Sequence, residues 1–298
     1  MDVKKFKCRN CGGEFEIHTH GELLCPFCGS KQYFSDSDFK GYDDFRDSLL
    51  RYLKNENDRV LADGDVLNLW DYNKSVGFET EDGDSVEIKY TFHATVDGVE
   101  VYISRDNAVY VFEGPKRGYI KKMFDAIEQI DYPSADVKNL REFLPQLNMD
   151  LQLKDSKELV AFSKPENVYP LFAFSNLGPR HVAWIISRME NFCCLLEFNN
   201  MDFKHMDPAC IYINPKTHEA YLIGGWWATG PAGEGIALSM VRSTAKAILG
   251  HRYEEGPQMF KEFLASKPKK DAYEDFAYWD SVIENGFGGH NFATFGKE

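Results

Sequence analysis

The chain has 298 residues, 43% hydrophobic and 27% charged, an ordinary globular composition that suits one large or two modest domains. Acidic residues outnumber basic ones 47 to 34 for a formal charge of −13, so the molecule as a whole repels phosphate backbones and a general nucleic-acid binder is excluded. No run of about 18 apolar residues is present, and the start MDVKKFKCRNCGG lacks the apolar centre of a secretory signal, so a cytoplasmic protein without membrane association is expected.

Four of the seven cysteines, Cys8, Cys11, Cys25 and Cys28, crowd the first thirty residues. They read Cys-x2-Cys, thirteen residues, Cys-x2-Cys, and each pair fits a tight turn that aims two thiolates at one ion. Gly12 and Gly29 follow the second cysteine of each pair, as such turns need. In a chain without a secretion signal the arrangement favours one structural zinc, Zn2+, over two disulfides. FEIH and ELLC are expected to form a hairpin between the knuckles. His18 and His20 lie there too and read as exposed hairpin residues, since four thiolates already fill the shell. Residues 1–35 hold five basic and four acidic side chains, so the remaining 263 residues carry −14. A zinc ribbon this weakly charged suits a protein-docking or stabilising module better than a nucleic-acid finger.

After the ribbon, SDSDFKGYDDF reads as an exposed linker, and FRDSLLRYLKNEND has helical apolar spacing at 45, 49, 50 and 53, so 36–60 is assigned as linker and helix. From Ser85 the pattern turns to β: SVEIKYTFHAT, VEVYISRD and AVYVFEG, separated by VDG and RDN turns, predict an antiparallel sheet of at least three strands. GYIKKMFDAIEQI returns to helical spacing through Ile120, Met123 or Phe124, Ile127 and Ile130, and LQLKDSKELVAFS predicts a further hairpin. LGPRHVAWIISRMENFCCLLEF predicts a long helix, buried nearly all round, in which Cys193 and Cys194 are packed thiols. FKHMDPACIYINPKTHEAYLIGGWW reads as loop, strand, NPKT turn and strand, and helices follow in IALSMVRSTAKAILG and AYEDFAYWDSVIENG.

A β-rich lobe with one helix, then an α-rich lobe whose first long helix precedes a loop and small hairpin, is the element order of a protein kinase. Phe203-Lys204-His205-Met206-Asp207-Pro208-Ala209-Cys210-Ile211-Tyr212-Ile213 resembles the kinase run His-Arg-Asp-Leu-Lys-Pro-Glu-Asn-Ile-Leu-Ile at its proline and hydrophobic positions, and Gly224-Gly225-Trp226-Trp227 stands where Asp-Phe-Gly would. The RHVAWIISR, DPACIYINPKTHEAYLIGGWW and WDSVIENGFGGHNF segments resemble a divergent bacterial and phage group of kinase-like proteins with an N-terminal zinc ribbon. The resemblance implies an α+β protein: a zinc ribbon (1–35), then a bilobal kinase-like fold with a β-rich N-lobe (61–168) and an α-rich C-lobe (169–298).

The resemblance also shows what is missing. Kinases use a carboxylate to orient the substrate hydroxyl, an Asn and an Asp to hold magnesium, and a Lys–Glu pair to place the phosphates. Here the base falls on His205, the metal-binding Asn on Cys210 and the metal-binding Asp on Gly225. Lys89 resembles the strand lysine, but AVYVFE, the strand that best precedes the helix, has none. The helix glutamate falls near Met123, with Glu128 one turn late. The aspartate that kinases place early in the following helix falls on Ala237, and only about a dozen residues separate the hairpin from that helix, too few for a phosphosite and a peptide platform. Asp207 and His205 are the candidates for a rescue, although histidine is a poor magnesium ligand and both suit polar loop positions. Trp226 and Trp227 suit either a partner surface or a plug for the nucleotide site, while Gly224-Gly225 and GPAGEG lack the lysine of a phosphate cradle.

These features together predict a catalytically inactive pseudokinase adaptor that binds proteins and uses neither ATP nor Mg2+. A divergent ATP-dependent phosphotransferase working through Asp207 is the alternative. A ribbon that docks nucleic acid or a polymerase is a second one.

Overall fold

The computed structural model describes residues 4–8, 10–17, 21–34, 70, 74–134, 140–174, 177–204, 207–215, 217–233 and 235–291. The helix expected over 45–53, the linker around it, His18, His20 and His205 lie outside the described residues. The chain divides into two compact units, Met1–Ile120 with Gln146–Asn167, and Lys121–Pro145 with Val168–Glu298. The class is α+β as expected: a cysteine cluster, then a sheet unit, then a helical unit.

In the ribbon, β1 (Lys4–Lys7) pairs with β2 (Glu14–Ile17), and β3 (Gly21–Leu24) with β4 (Lys31–Phe34). The hairpin expected between FEIH and ELLC does not form, because each strand pairs across its own knuckle. The knuckles cause this. Cys8 N donates to Gly13 O (2.8 Å) and Gly12 N to Cys8 O (2.9 Å), and the second knuckle repeats both bonds, Cys25 N to Ser30 O and Gly29 N to Cys25 O. Gly12 and Gly29 take φ of 75° and 70°, which a β-carbon disfavours, and the reversed chain continues as a strand beside the one it left.

The segment SVEIKYTFHAT breaks in two at Thr91. Its first half, β6 (Ser85–Tyr90), pairs with β5 (Lys74–Glu79) as a separate hairpin. Its second half, β7 (Phe92–Val96), opens a five-stranded antiparallel sheet with β8 (Val99–Ile103), β9 (Asn107–Glu113), β10 (Gln146–Leu153) and β11 (Lys157–Ser163) in the spatial order β10-β11-β9-β8-β7. The helix α1 (Gly118–Glu128) lies in the connection between the third and fourth strands. Period-two alternation gives the sheet two apolar faces. Val109, Val111, Leu153, Leu159 and Ala161 form one, covered by Phe78 and Ile88 of the β5–β6 hairpin. Phe92, on the other face, meets the Trp70 ring edge-on at 5.9 Å, and Trp70 Nε1 donates to Glu166 O. Lys164, pushed down to about 7 by burial, lies 4.1 Å over that ring and donates to Arg105 O.

The helical unit is built on α2 (Pro179–Phe198), which buries eleven residues including Val182, Ile186 and Cys193. Around it lie α3 (Ile236–Leu249), α4 (Gln258–Ala265) and α5 (Ala272–Gly286). The predicted hairpin is β14 (Ile211–Ile213) with β15 (Ala220–Leu222), extended by β12 (Tyr169–Pro170), and β13 (Met201–Phe203) pairs with β16 (Thr229–Pro231). The α4 helix and the three short strands β12, β13 and β16 are additions to the sequence reading.

Candidate functional site

In the kinase pattern the phosphates are covered by a glycine-rich loop and met by a strand lysine. Between β7 and β8 this chain has a two-residue turn, Asp97 and Gly98 at φ of 53° and 76°, the geometry that lets a hairpin close with no loop to spare. Lys116 Nζ donates to the Asp97 carbonyl, tying the turn down. On β9, the strand before α1, no lysine occurs: Ala108, Tyr110 and Phe112 alternate with Val109 and Val111, all buried. Lys89 is exposed on β6 opposite Ser75, outside the five-stranded sheet. In α1, Met123 is fully buried and Glu128 is exposed at the helix end. Among the described residues of the sheet unit, β9 therefore offers no strand lysine and the β7–β8 turn has no glycine-rich loop.

The helical unit carries Lys204, Asp207–Cys210 and the hairpin after them. Asp207 is buried, its Oδ1 accepting from Ala209 N (2.8 Å) and its carbonyl from Cys210 N (2.8 Å). The carboxylate is a turn-former here. Cys210 is buried, and its carbonyl accepts from Ile223 N and Gly224 N. Those bonds carry the chain to Gly225, where a β-carbon would lie 3.4 Å from the Phe203 ring and 3.7 Å from Cys210 Sγ. The fold thus brings together the two positions assigned to the metal-binding Asn and Asp, and what meets there is a thiol, a ring and a bare backbone. Magnesium takes oxygen ligands, and neither position supplies a side-chain oxygen. Gly225 also has φ of 81°, so an aspartate there would be strained.

Trp226 and Trp227 are buried, the first edge-on to Phe203 at 5.2 Å with its Nε1 donating to Leu222 O. They are core of the helical unit and offer no exposed partner surface. The short segment after Gly225 pairs as β16 with β13, Phe203 opposite Thr229. It is held as structure and leaves no free platform. Ala237 has no carboxylate to return to the loop. The link runs the other way, since buried Asp202 on β13 accepts from Ile236 N and Ala237 N at 3.0 Å each, capping α3 from 34 residues upstream. The helix N-terminus after Gly235 therefore meets a protein carboxylate, where a phosphate cradle would need it open.

Cys193 is buried and burial raises its thiol well above the ordinary value. Cys194, at about 12 for the same reason, has its sulfur 3.5 Å from Ala272 O. Burial thus disfavours the thiolate form at both positions.

The N-terminal cluster is a different kind of site. Cys8, Cys11, Cys25 and Cys28 place all four sulfurs within 4.8 Å of one another, two buried and two exposed. Asn10 N donates to Cys8 Sγ and Phe27 N to Cys25 Sγ, both at 3.4 Å, and Ser30 Oγ lies 3.1 Å from Cys28 Sγ. The Cys11 amide, against the cost of burial, holds the Cys8 thiol down at about 6. This set can hold one metal ion.

Two groups that sequence reasoning missed complete the helical unit. Arg242 on α3 forks onto Asp275 of α5 with two bonds of 2.8 Å, and Glu190 of α2 lies 3.9 Å away. His181 Nδ1 and His218 Nε2 are 2.9 Å apart, both rings buried. The one sequence signal for Asp202 was the lack of a capping side chain before Ile236, where Gly235 stands.

No protein-family model and no curated protein matches this chain. Among solved structures it is similar to vaccinia related kinase 3, with 9% identity over 83% of this chain and 99% of that one at a TM-score of 0.45. It is also similar to WbdD, a bifunctional kinase-methyltransferase, with 11% identity over 66% of this chain and 47% of that one at a TM-score of 0.41. The chain spans about half the length of the WbdD chains it matches.

Proposed function

We propose that this protein is a catalytically inactive, kinase-like binding protein with a structural zinc at its N-terminus. The observation that carries the reading is the meeting of Gly225, Cys210 and Phe203, where a kinase would hold magnesium with an Asp and an Asn. Without those oxygens the developing charge on a transferred phosphoryl group has no metal to neutralise it. The burial of Asp207 and the bond from Ala209 N to its Oδ1 support a turn-forming over a catalytic role for that carboxylate.

Zinc suits the cluster on geometry. A Zn–S bond of about 2.3 Å sets neighbouring sulfurs of a tetrahedron about 3.8 Å apart, the separation of both Cys8–Cys28 and Cys11–Cys25 at 3.8 Å. A protein-docking role for the ribbon is supported by Leu24 and Phe27 beside the knuckles, exposed by 63% and 64%.

Two measurements test the reading. Metal analysis of purified protein is expected to give about one zinc per chain, and free thiols without zinc would refute the site. Incubation with γ-labelled ATP and magnesium is expected to transfer no label to the protein or to a general acceptor. Transfer that disappears in Asp207→Ala would establish the phosphotransferase instead.

A further inference from the structure

The five-stranded sheet has an outer edge at β10, and that edge is only partly covered. Gln152 O accepts from Glu81 N at 3.1 Å, and Thr80 bridges Leu153. Because antiparallel pairs alternate between bonding inward and outward, the outward use of Gln152 means that Asp150, two residues earlier, also turns its N–H and C=O away from β11. Among the described residues no backbone group meets them. A bulge lies between Leu147 and Met149, and Leu147 is 55% exposed with Asn148 and Asp150 exposed beside it. The chain's own turn thus starts a sixth strand at the end of β10 and stops after two residues.

Charge selects the occupant. The covering turn reads Glu79-Thr80-Glu81-Asp82-Gly83-Asp84; Glu79 is paired with Lys154, while the side chains of Glu81, Asp82 and Asp84 are exposed. Asp150 shares the sheet face of Glu158, whose carboxylate is paired with Arg117 at 3.2 Å, and burial first, with the Glu158 charge second, raises the Asp150 carboxyl above the ordinary value, so Asp150 and the turn carboxylates are the ones left to a partner. A second copy of this chain would bring the same carboxylates against these, and that like-charge contact opposes self-pairing along this edge. A cationic strand would relieve them.

We propose that β10 is a docking edge for an extended basic peptide segment of a protein partner, which adds as a strand beside Leu147–Asp150. Main-chain bonds to Asp150 supply affinity. The period of two puts alternate Lys or Arg side chains beside Asp150 and the Glu81-Asp82-Asp84 turn, with apolar side chains beside Met149 and Leu151 on the opposite face. This gives the binding-protein reading a partner class but fails separately from it, since phosphate transfer is scored in a different assay.

The test uses the full-length protein and a labelled octapeptide of alternating Lys and Val, read by fluorescence anisotropy and by amide hydrogen exchange. The expected result is binding with slowed exchange over Leu147–Asp150, and at least tenfold weaker binding by Asp150→Pro, which removes an outward N–H that β11 does not use. Glu81→Gln with Asp82→Asn should weaken binding severalfold and flatten its salt dependence. Binding that persists in Asp150→Pro but vanishes with salt is ion exchange and overturns strand addition. Equal binding of an alternating Glu and Val peptide overturns the charge assignment, and concentration-dependent dimerisation through the same amides overturns the choice of occupant.

Discussion

Asp275→Ala should cost about 3 kcal/mol of unfolding free energy, read from the urea midpoint and slope, placing it at the lower end of what breaking one partner of a buried ion pair costs. Asp275 is fully buried, holds Arg242 through two 2.8 Å bonds and accepts from Lys269 N. Its loss leaves a guanidinium with 3% exposure, still bonded to Phe263 O and Leu238 O and lying 4.1 Å from the Phe263 ring. The cost falls at the lower end because of Glu190. Burial first, and the neighbouring Asp275 second, push its carboxyl up to about 9, so it is neutral at pH 7. With Asp275 gone the repulsion goes too, and Glu190, 3.9 Å from Arg242, can ionise and take over part of the pairing. Adding Glu190→Gln to Asp275→Ala should therefore cost about 2 kcal/mol more, while Glu190→Gln alone should be near neutral, because it replaces one uncharged group with another. A double variant no less stable than Asp275→Ala would contradict this. The network joins α2, α3 and α5, the frame that carries the loop with Asp207 and Cys210.

The second large effect is acid lability. His181 and His218 are held down at about 4 and about 3, in both cases by burial first, with the Arg252 charge acting on His181, and His181 and Arg188 on His218. Both folded values lie below the unfolded value near 6.5, so the unfolded chain takes up protons first as pH falls. The stability is fully present above about 6.5 and is lost from there down towards 4. Between pH 7 and pH 5 the pair should account for about 4 kcal/mol of lost stability. The double variant His181→Gln with His218→Asn, the asparagine chosen because His218 sits at φ of 54°, should lose most of that slope. An unchanged slope would place the acid sensitivity elsewhere.

Local patterns made much of the fold legible. The 3.6-residue apolar period of α2, the alternation of β8 and the continuous apolar runs of β9 and β11 are set by which faces each element buries, so their sequences carry them directly. The cysteine spacing likewise carried the metal cluster. What the spacing did not carry was strand pairing in the ribbon, which follows from bonds inside each knuckle. The break at Thr91 was hidden because β6 and β7 share one β-rich run yet belong to different layers. The α4 helix is only eight residues long, too short for its period to stand out. Cys210 and Gly225 could be aligned to a motif, but their contact through Phe203 is tertiary. The Asp202 cap, the Arg242–Asp275 fork and the His181–His218 pair each join residues more than thirty apart, and no local signal announces such partners.

Calorimetric titration of the full-length protein with ATP and magnesium tests the central claim most directly. With no strand lysine on β9, a two-residue turn at Asp97 and Gly98, and no side-chain oxygen at Cys210 or Gly225, the expected result is no heat of binding that depends on magnesium. A saturable, magnesium-dependent isotherm with one site per chain would contradict the account.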